Sequence, residues 1–379
     1  MFSGYLYFFK HLNSHKKIKK MSNYNTYTYN NEFILESGDS LPSLEIAYHT
    51  YGKLNKAKNN VIWVCHALTA NSDVFDWWNG LFGDKDYFNP NDYFIVCANN
   101  LGSCYGTTGP LSHNKNNNSP LYSYFPTITI RDMVKAHDIL REHLDIKKIH
   151  TLIGGSQGGQ QALEWNAEAP SLFENLIVIA TNAKHSAWGI AFNESQRLAI
   201  KADRTYFSNT TGGGSKGLAA ARSIALLSYR GYTAYGNTQS ETSNDKAGDF
   251  AAASYQRYQG EKLVNRFNAY SYVSLTKAMD SHNLGRDRIS VEASLLRITA
   301  NTLVIGLTTD VLFPASEQRF LAKHIGRSIY EEIHSDYGHD GFLIETKKIT
   351  EKIKSFFKIV ESRKSTSIKA NHIFNILPN

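Results

Sequence analysis

Apolar and polar positions fall into two alternating kinds of segment along the chain. Short runs rich in β-branched and aromatic residues predict buried strands at Leu44–Thr50, Val61–Cys65, Tyr93–Ala98, His150–Ile153, Leu176–Ala180 and Thr302–Gly306, with a less apolar one at Ile329–Ile333. Segments of helical period lie between them. Thr129 is placed to cap a helix through Leu144, with Asp132 in its first turn and Ile130, Met133, Val134, His137 and Leu140 along its inner side. Gln160–Ala169 is a second helix, stopped by Pro170. Strands alternating with helices predict an α/β fold with a mainly parallel central sheet covered on both faces.

The alternation stops after Thr181, and about 120 residues pass before the next clear strand, far too many for a simple strand-to-helix connection. Helical stretches at Phe192–Phe207 and Leu218–Tyr229, and the segment Phe250–Asp280, fill that span, with polar loops at Thr210–Lys216 and Gln239–Gly248. The expected organisation is an N-terminal extension (1–21), a core from 22–182 and 303–362, an inserted helical cap (183–302) and a C-terminal tail (363–379). His113–Ser119, rich in asparagine, reads as a surface loop.

The 379 residues carry a net charge of +7, which raises the question of a polyanionic partner. Five lysines (Lys10, Lys16, Lys17, Lys19, Lys20) sit in residues 1–20 with no acid among them, and the segment from Lys347 onward holds eight basic and two acidic residues. The basicity therefore belongs to the two ends, and no nucleic-acid partner is expected. No apolar run reaches the roughly 18 residues of a membrane-spanning helix. The N-terminus lacks the order of a secretory signal, because its lysines follow the short apolar piece. Cys65, Cys97 and Cys104 are odd in number and form no metal-ligand spacing with histidine. Free thiols in a cytoplasmic protein and no metal are the expectation.

Gly154-Gly155-Ser156-Gln157-Gly158 has a strand before it and a helix after it. This is the context in which G-x-S-x-G forms a sharp bend that lifts a serine hydroxyl out of a sheet. The amide of Gln157, near the helix N-terminus, would then face an oxyanion formed on an attacked carbonyl. A serine hydroxyl needs a base, and this architecture supplies an acid after a later strand, then a histidine near the end. Asp310 follows Thr302–Gly306, and His339 comes 29 residues later in Tyr337-Gly338-His339-Asp340-Gly341. Ser156, His339 and Asp310 are the expected nucleophile, base and orienting acid; His334, His324 and Asp336 are the rivals. A second oxyanion donor is expected from the loop after Val61–Cys65, at the amide of Leu68. His66 reads as a loop-packing residue.

These residues resemble the homoserine O-acetyltransferases, acyltransferases of α/β-hydrolase fold in methionine biosynthesis. The resemblance runs from Phe33 to Phe357 and includes His66–Thr69, Asn99–Cys104, Thr129–Val134, Gly154–Gly158, Tyr258–Gly260, Leu275–Asp280, Asp310–Pro314 and Gly338–Leu343. It implies the triad Ser156, Asp310 and His339, with the Leu68 and Gln157 amides as oxyanion hole. It also implies Arg222 and Tyr229 beside the carboxylate of L-homoserine and Asp340 beside its ammonium. Acetyl-CoA would be the co-substrate, with no bound cofactor, and the protein a homodimer joined through the cap. Gln157 and Gln160 stand where the family usually has methionine, Ala70 where it has glycine and Asn268 where it has aspartate. The alternatives are a homoserine O-succinyltransferase, a serine O-acetyltransferase, or a serine esterase with water as acceptor.

Overall fold

The computed structural model describes residues 23–113 and 118–374, with side chains to 365. The expected extension at 1–21 and part of the asparagine-rich loop lie outside the described residues.

Ten strands form among the described residues: β1 (Asn25–Tyr29), β2 (Phe33–Ile34), β3 (Ser40–Leu41), β4 (Leu44–Tyr51), β5 (Val61–Cys65), β6 (Phe94–Ala98), β7 (Ile149–Gly155), β8 (Phe173–Ile179), β9 (Asn301–Leu307) and β10 (Ser328–Ile333). Eight of them make one sheet in the order β1-β4-β6-β5-β7-β8-β9-β10, and β2 and β3 pair separately. From β6 to β10 every neighbouring pair is parallel, while β4 is antiparallel to both β6 and β1. All five residues of β5 are buried, and they alternate between two apolar layers: Val61, Trp63 and Cys65 on one face, Ile62 and Val64 on the other. A strand covered on both sides gains nothing from a polar residue at any position, which is why it reads as a continuous apolar run.

The helix Ile130–His143 starts where the sequence places it. Thr129 accepts from the Asp132 amide and Asp132 accepts from the Thr129 amide at 2.8 Å, a closed capping box. The helix after the glycine-rich bend is Gln157–Glu168, three residues earlier at its start than the sequence suggests. Between β8 and β9 lie the helices Ala187–Ala202, Ser215–Tyr229, Tyr232–Gln239, Ala251–Val264, Ala269–Asp280 and Val291–Leu296. The first of these differs from the expected Phe192–Phe207. Ser186 caps it by accepting from Gly189 N at 3.1 Å, and Asp203 ends it by accepting from the Thr205 amide, so Arg204–Ser208 is a separate tight turn. Phe250–Asp280 is likewise two helices. Asn268 caps the second by accepting from Ser271 N at 2.8 Å, work that asparagine and aspartate do equally well. The last helix, Thr346–Phe374, runs through the boundary expected at 362.

Candidate active site

Ser156 occupies the bend between β7 and the helix Gln157–Glu168, at φ 57° and ψ −127°. A non-glycine residue there costs on the order of 1–3 kcal/mol, and its surroundings hold it. Ser156 N donates to Ile179 O at 3.0 Å, and Thr181 Oγ1 donates to Ser156 O at 2.8 Å. The flanking glycines are steric necessities. A Cβ on Gly154 would lie 2.2 Å from Gly158 O, and one on Gly158 would lie 2.0 Å from Cys65 O.

Asp310 follows β9 and His339 follows β10, and the two loops bring both to the serine. His339 Nε2 is 2.9 Å from Ser156 Oγ, and His339 Nδ1 is 2.7 Å from Asp310 Oδ2. The other carboxylate oxygen, Oδ1, accepts the amides of Leu312 at 2.9 Å and Phe313 at 2.8 Å. Asp310 is thereby fixed with one oxygen toward the imidazole. The Phe313 ring stacks on His339 with centroids 5.1 Å apart, and all three polar residues are buried. The loops are fastened to each other by Thr309, whose Oγ1 donates to Ser335 O at 2.6 Å and accepts from Gly338 N at 3.0 Å. The rival histidines stand elsewhere: His334 and His324 make no contact with Ser156, and Asp336 lies 3.9 Å from the His334 ring.

Ser156 and His339 open on a cavity of about 250 Å³. One wall is the loop Ala67–Asn71, which includes Leu68; Phe342 and Leu343 form another; and Arg222, Tyr229, Arg266, Asp340, Asp76 and Trp77 complete it. Gln157 immediately follows the serine, so its amide is among those that a helix leaves without an internal partner. Its side chain turns away from the cavity, accepting from Asn100 Nδ2 at 3.3 Å and donating to Leu275 O at 3.2 Å. The glutamine at this family-variant position therefore ties the bend to the helix Ala269–Asp280. Gln160 likewise points inward, to Asn182 Oδ1 at 3.0 Å.

Arg197, Arg204, Arg222 and Arg230 all lie between β8 and β9, and the structure separates them. Arg197 is buried in ion pairs with Asp280 and Glu194. Arg204 is exposed and does not line the cavity. Arg230 donates through Nε to Asp340 Oδ2 at 2.7 Å; burial opposes its charge, but Asp340 outweighs that and holds its pKa above the usual value. Arg222 faces the cavity with no ion-pair partner among the described residues, its guanidinium 5.4 Å from the Tyr229 ring centre. Tyr229 is kept protonated by burial and its ring lies 5.8 Å from that of His339.

His66 is fully buried in the loop beneath. Its Nε2 accepts from the Asn100 amide at 3.0 Å, which places the proton on Nδ1, donated to Ala67 O at 2.9 Å. Burial pushes its pKa down to about 4. It is a neutral strut, as the sequence suggests. Sequence reasoning does not find Thr309, Asp76, Trp77 or Arg266 as neighbours of the site. None carries a motif of its own, and only the folded loops assemble them. Among the described residues no group of three or more histidine, cysteine, aspartate or glutamate side chains is placed to hold a metal, and no helix is long and apolar enough to cross a membrane.

Residues 60–346 match the family model of the alpha/beta hydrolase fold. The homoserine O-acetyltransferase of Cyclobacterium marinum is 51% identical over 323 residues, which cover 85% of this chain and 92% of that protein. The crystal structure of homoserine O-acetyltransferase from Staphylococcus aureus is 30% identical with a TM-score of 0.74, covering 88% of this chain and 95% of that one. The crystal structure of esterase E22 has a TM-score of 0.80 at 22% identity, over 88% of this chain and 99% of that one, a likeness of fold alone.

Proposed function

We propose that this chain, which belongs to the homoserine O-acetyltransferase family and has the α/β-hydrolase fold, transfers the acetyl group of acetyl-CoA to the hydroxyl of L-homoserine through an acetyl-Ser156 intermediate. The observation that carries the reading is the aligned Ser156–His339–Asp310 relay, at 2.9 and 2.7 Å, at the floor of a cavity that also holds the Arg222 guanidinium, which has no ion-pair partner among the described residues.

In the first half-reaction Ser156 Oγ attacks the thioester carbonyl while His339 Nε2 takes its proton. Asp310 stabilises the imidazolium and fixes the tautomer. The developing oxyanion rests on the amides of Leu68 and Gln157. Collapse breaks the C–S bond, and the coenzyme A thiol leaves with the proton from His339. The homoserine hydroxyl then attacks the acetyl-serine ester and gives its proton to His339. Ser156 Oγ departs, recovers that proton, and O-acetyl-L-homoserine is released. Water as the acceptor would turn the same relay into an esterase. Arg222 for the carboxylate and Asp340 for the ammonium give a zwitterionic amino acid the two fixed charges it needs to enter a water-poor cavity.

The helices between β8 and β9 act in this reading as a cap (183–302) over the core (22–182 and 303–362), limiting water at the acyl-enzyme. The working form is a cytoplasmic homodimer joined through the cap; exposed Leu198 and Leu227 on its helices support that surface. The test is thiol release from acetyl-CoA with and without L-homoserine, together with the mass of the protein after donor alone. Release that needs homoserine, and an acetyl increment on Ser156 that is absent in Ser156→Ala, are the expected results. Release indifferent to the amino acid would make the protein an esterase, and mixed acyl-CoA and amino-acid substrates identify succinyl transfer or a serine acceptor.

A further inference from the structure

The turn that carries Leu68 is short and closes with a single bond of its own. Ala70 N donates to Ala67 O at 3.0 Å, which engages neither the Leu68 amide nor the Thr69 carbonyl. His66 Nδ1 holds the start of the turn through the same Ala67 oxygen, at 2.9 Å. The far end is held from the segment inserted between β8 and β9. Arg266 Nη1 donates to Thr69 O at 2.6 Å, and Nη2 donates to Thr69 Oγ1 at 3.4 Å. The same Nη1 donates to Tyr105 Oη at 2.6 Å, so one guanidinium fork bridges the turn after β5 and the loop after β6.

Arg266 is presented from a stiff link. The helix Ala251–Val264 ends there with the amides of Arg266 and Phe267 both donating to Leu263 O at 2.9 Å, and Asn268 caps the next helix. Phe267 is buried, its ring 5.7 Å from that of Tyr105 and edge to face. Tyr105 is tied to the core through its carbonyl, which accepts from Asn99 Nδ2 at 2.8 Å. Both ends of the bridge are therefore fixed before the guanidinium reaches the turn.

An amide that is to receive an oxyanion must be aimed before the charge forms, because turning it during the reaction forfeits the stabilisation it would give. A turn with one internal bond does not supply that rigidity. We infer that Arg266 is a positioning residue for the oxyanion hole: by holding Thr69 O against Tyr105 Oη it sets the direction of the Leu68 amide, so that the inserted segment completes the catalytic site. The inference rests on the acyltransferase reading and deepens it.

The experiment uses Arg266→Ala, Arg266→Lys and Tyr105→Phe in the full chain. Tyr105 does not line the reaction cavity, so its variant loosens Arg266 without removing a substrate contact. In Arg266→Ala kcat is expected to fall about ten- to a hundredfold, short of the loss when an oxyanion donor is removed outright. Arg266→Lys and Tyr105→Phe should lose less, in the same direction, and they carry the comparison if Arg266→Ala does not fold. Single-turnover acetylation of Ser156 and transfer from it to homoserine should slow by one common factor, since both pass through an oxyanion in the same place. A trifluoromethyl ketone that adds to Ser156 as a tetrahedral adduct should bind more weakly by that factor. The KM of each substrate and the Kd of free coenzyme A stay at wild-type values. A raised KM for one substrate with kcat retained, or slowing of one half-reaction alone, would make Arg266 a substrate contact and overturn the inference. Unchanged kcat and adduct affinity across the variants would overturn it as well. Each of these results leaves the acyltransferase reading in place, whereas a wild-type protein in which acetyl-CoA leaves no acetyl group on Ser156 removes both.

Discussion

Arg230 Nε lies 2.7 Å from Asp340 Oδ2, so the acid that follows His339 is held by a residue of the inserted helices. Oδ2 is engaged, and Oδ1 makes no hydrogen bond or ion pair among the described residues. The pair is largely buried, and removing one partner leaves the other desolvated. Asp340→Asn should therefore raise the KM for homoserine by about ten- to a hundredfold, the range of a lost charged contact. The pre-steady-state acetylation of Ser156 by donor alone should keep its rate. A slowed acetylation step would place Asp340 in the chemistry and not in acceptor binding.

Asp310→Asn makes a sharper prediction. The amides of Leu312 and Phe313 donate to Oδ1, and an asparagine would keep its oxygen toward them. Its NH₂ would then face His339 Nδ1, forcing the imidazole proton onto Nε2, which could no longer accept from Ser156. A loss in kcat of about 10⁴-fold is expected, with the fold intact. Steady-state rates beside a circular-dichroism spectrum check it.

Gln157 supplies a stability prediction. Its amide side chain joins Asn100 Nδ2 to Leu275 O in a fully buried setting. Gln157→Ala removes both bonds, leaves Asn100 Nδ2 only the longer contact to His66 O at 3.5 Å, and should cost about 1–3 kcal/mol in urea unfolding. Its backbone amide is retained, so the variant should still become acetylated at Ser156.

Acid should destabilise the protein well before its carboxylates titrate. Burial, the main cause in each case, holds His66, His137 and His185 at about 4 and His282 at about 3. In the unfolded chain each takes up a proton near pH 6.5. Between those values the unfolded state binds more protons, so stability is lost as the pH falls from about 6.5 toward 4. Glu317, raised to about 7 mainly by burial, opposes this, because there the folded state holds the extra proton. His150, also lowered by burial, acts with the four, while Asp132 and Asp280, raised by burial, act with Glu317 only nearer the carboxylate range, so the histidines set the sign above it. Urea midpoints at pH 7, 6, 5 and 4.5 should fall steadily, and a flat series would show that the histidines are charged in the fold.

Much of this was legible in the sequence, for identifiable reasons. Val61–Cys65 and the Thr129 cap are local: a doubly covered strand must be apolar throughout, and a capping box needs two residues three apart. The bend at Ser156 is marked because its crowding excludes side chains at Gly154 and Gly158. The edge strand Asn25–Tyr29 left little trace, since exposure on one side removes the demand for apolar residues, and Asn-Thr-Tyr-Thr-Tyr also suits a loop. The start of Ala187–Ala202 was misplaced because Ser186 is one serine among many until its partner amide is known. Arg222 could be singled out from Arg197 and Arg230 only by resemblance, because which arginine lacks an acid depends on contacts such as Arg197 to Asp280, 83 positions apart.

The Thr309 hydroxyl, shared between Ser335 O and Gly338 N, has a consequence for motion. Acid and base reach the nucleophile on separate loops, and independent thermal wandering of each would blur a 2.7 Å contact. Because one oxygen fastens both, their displacements are common-mode and largely cancel in the separation between carboxylate and ring. The relay can then ride on a breathing scaffold without losing its alignment, and the tolerance for looseness elsewhere around the cavity is correspondingly wide.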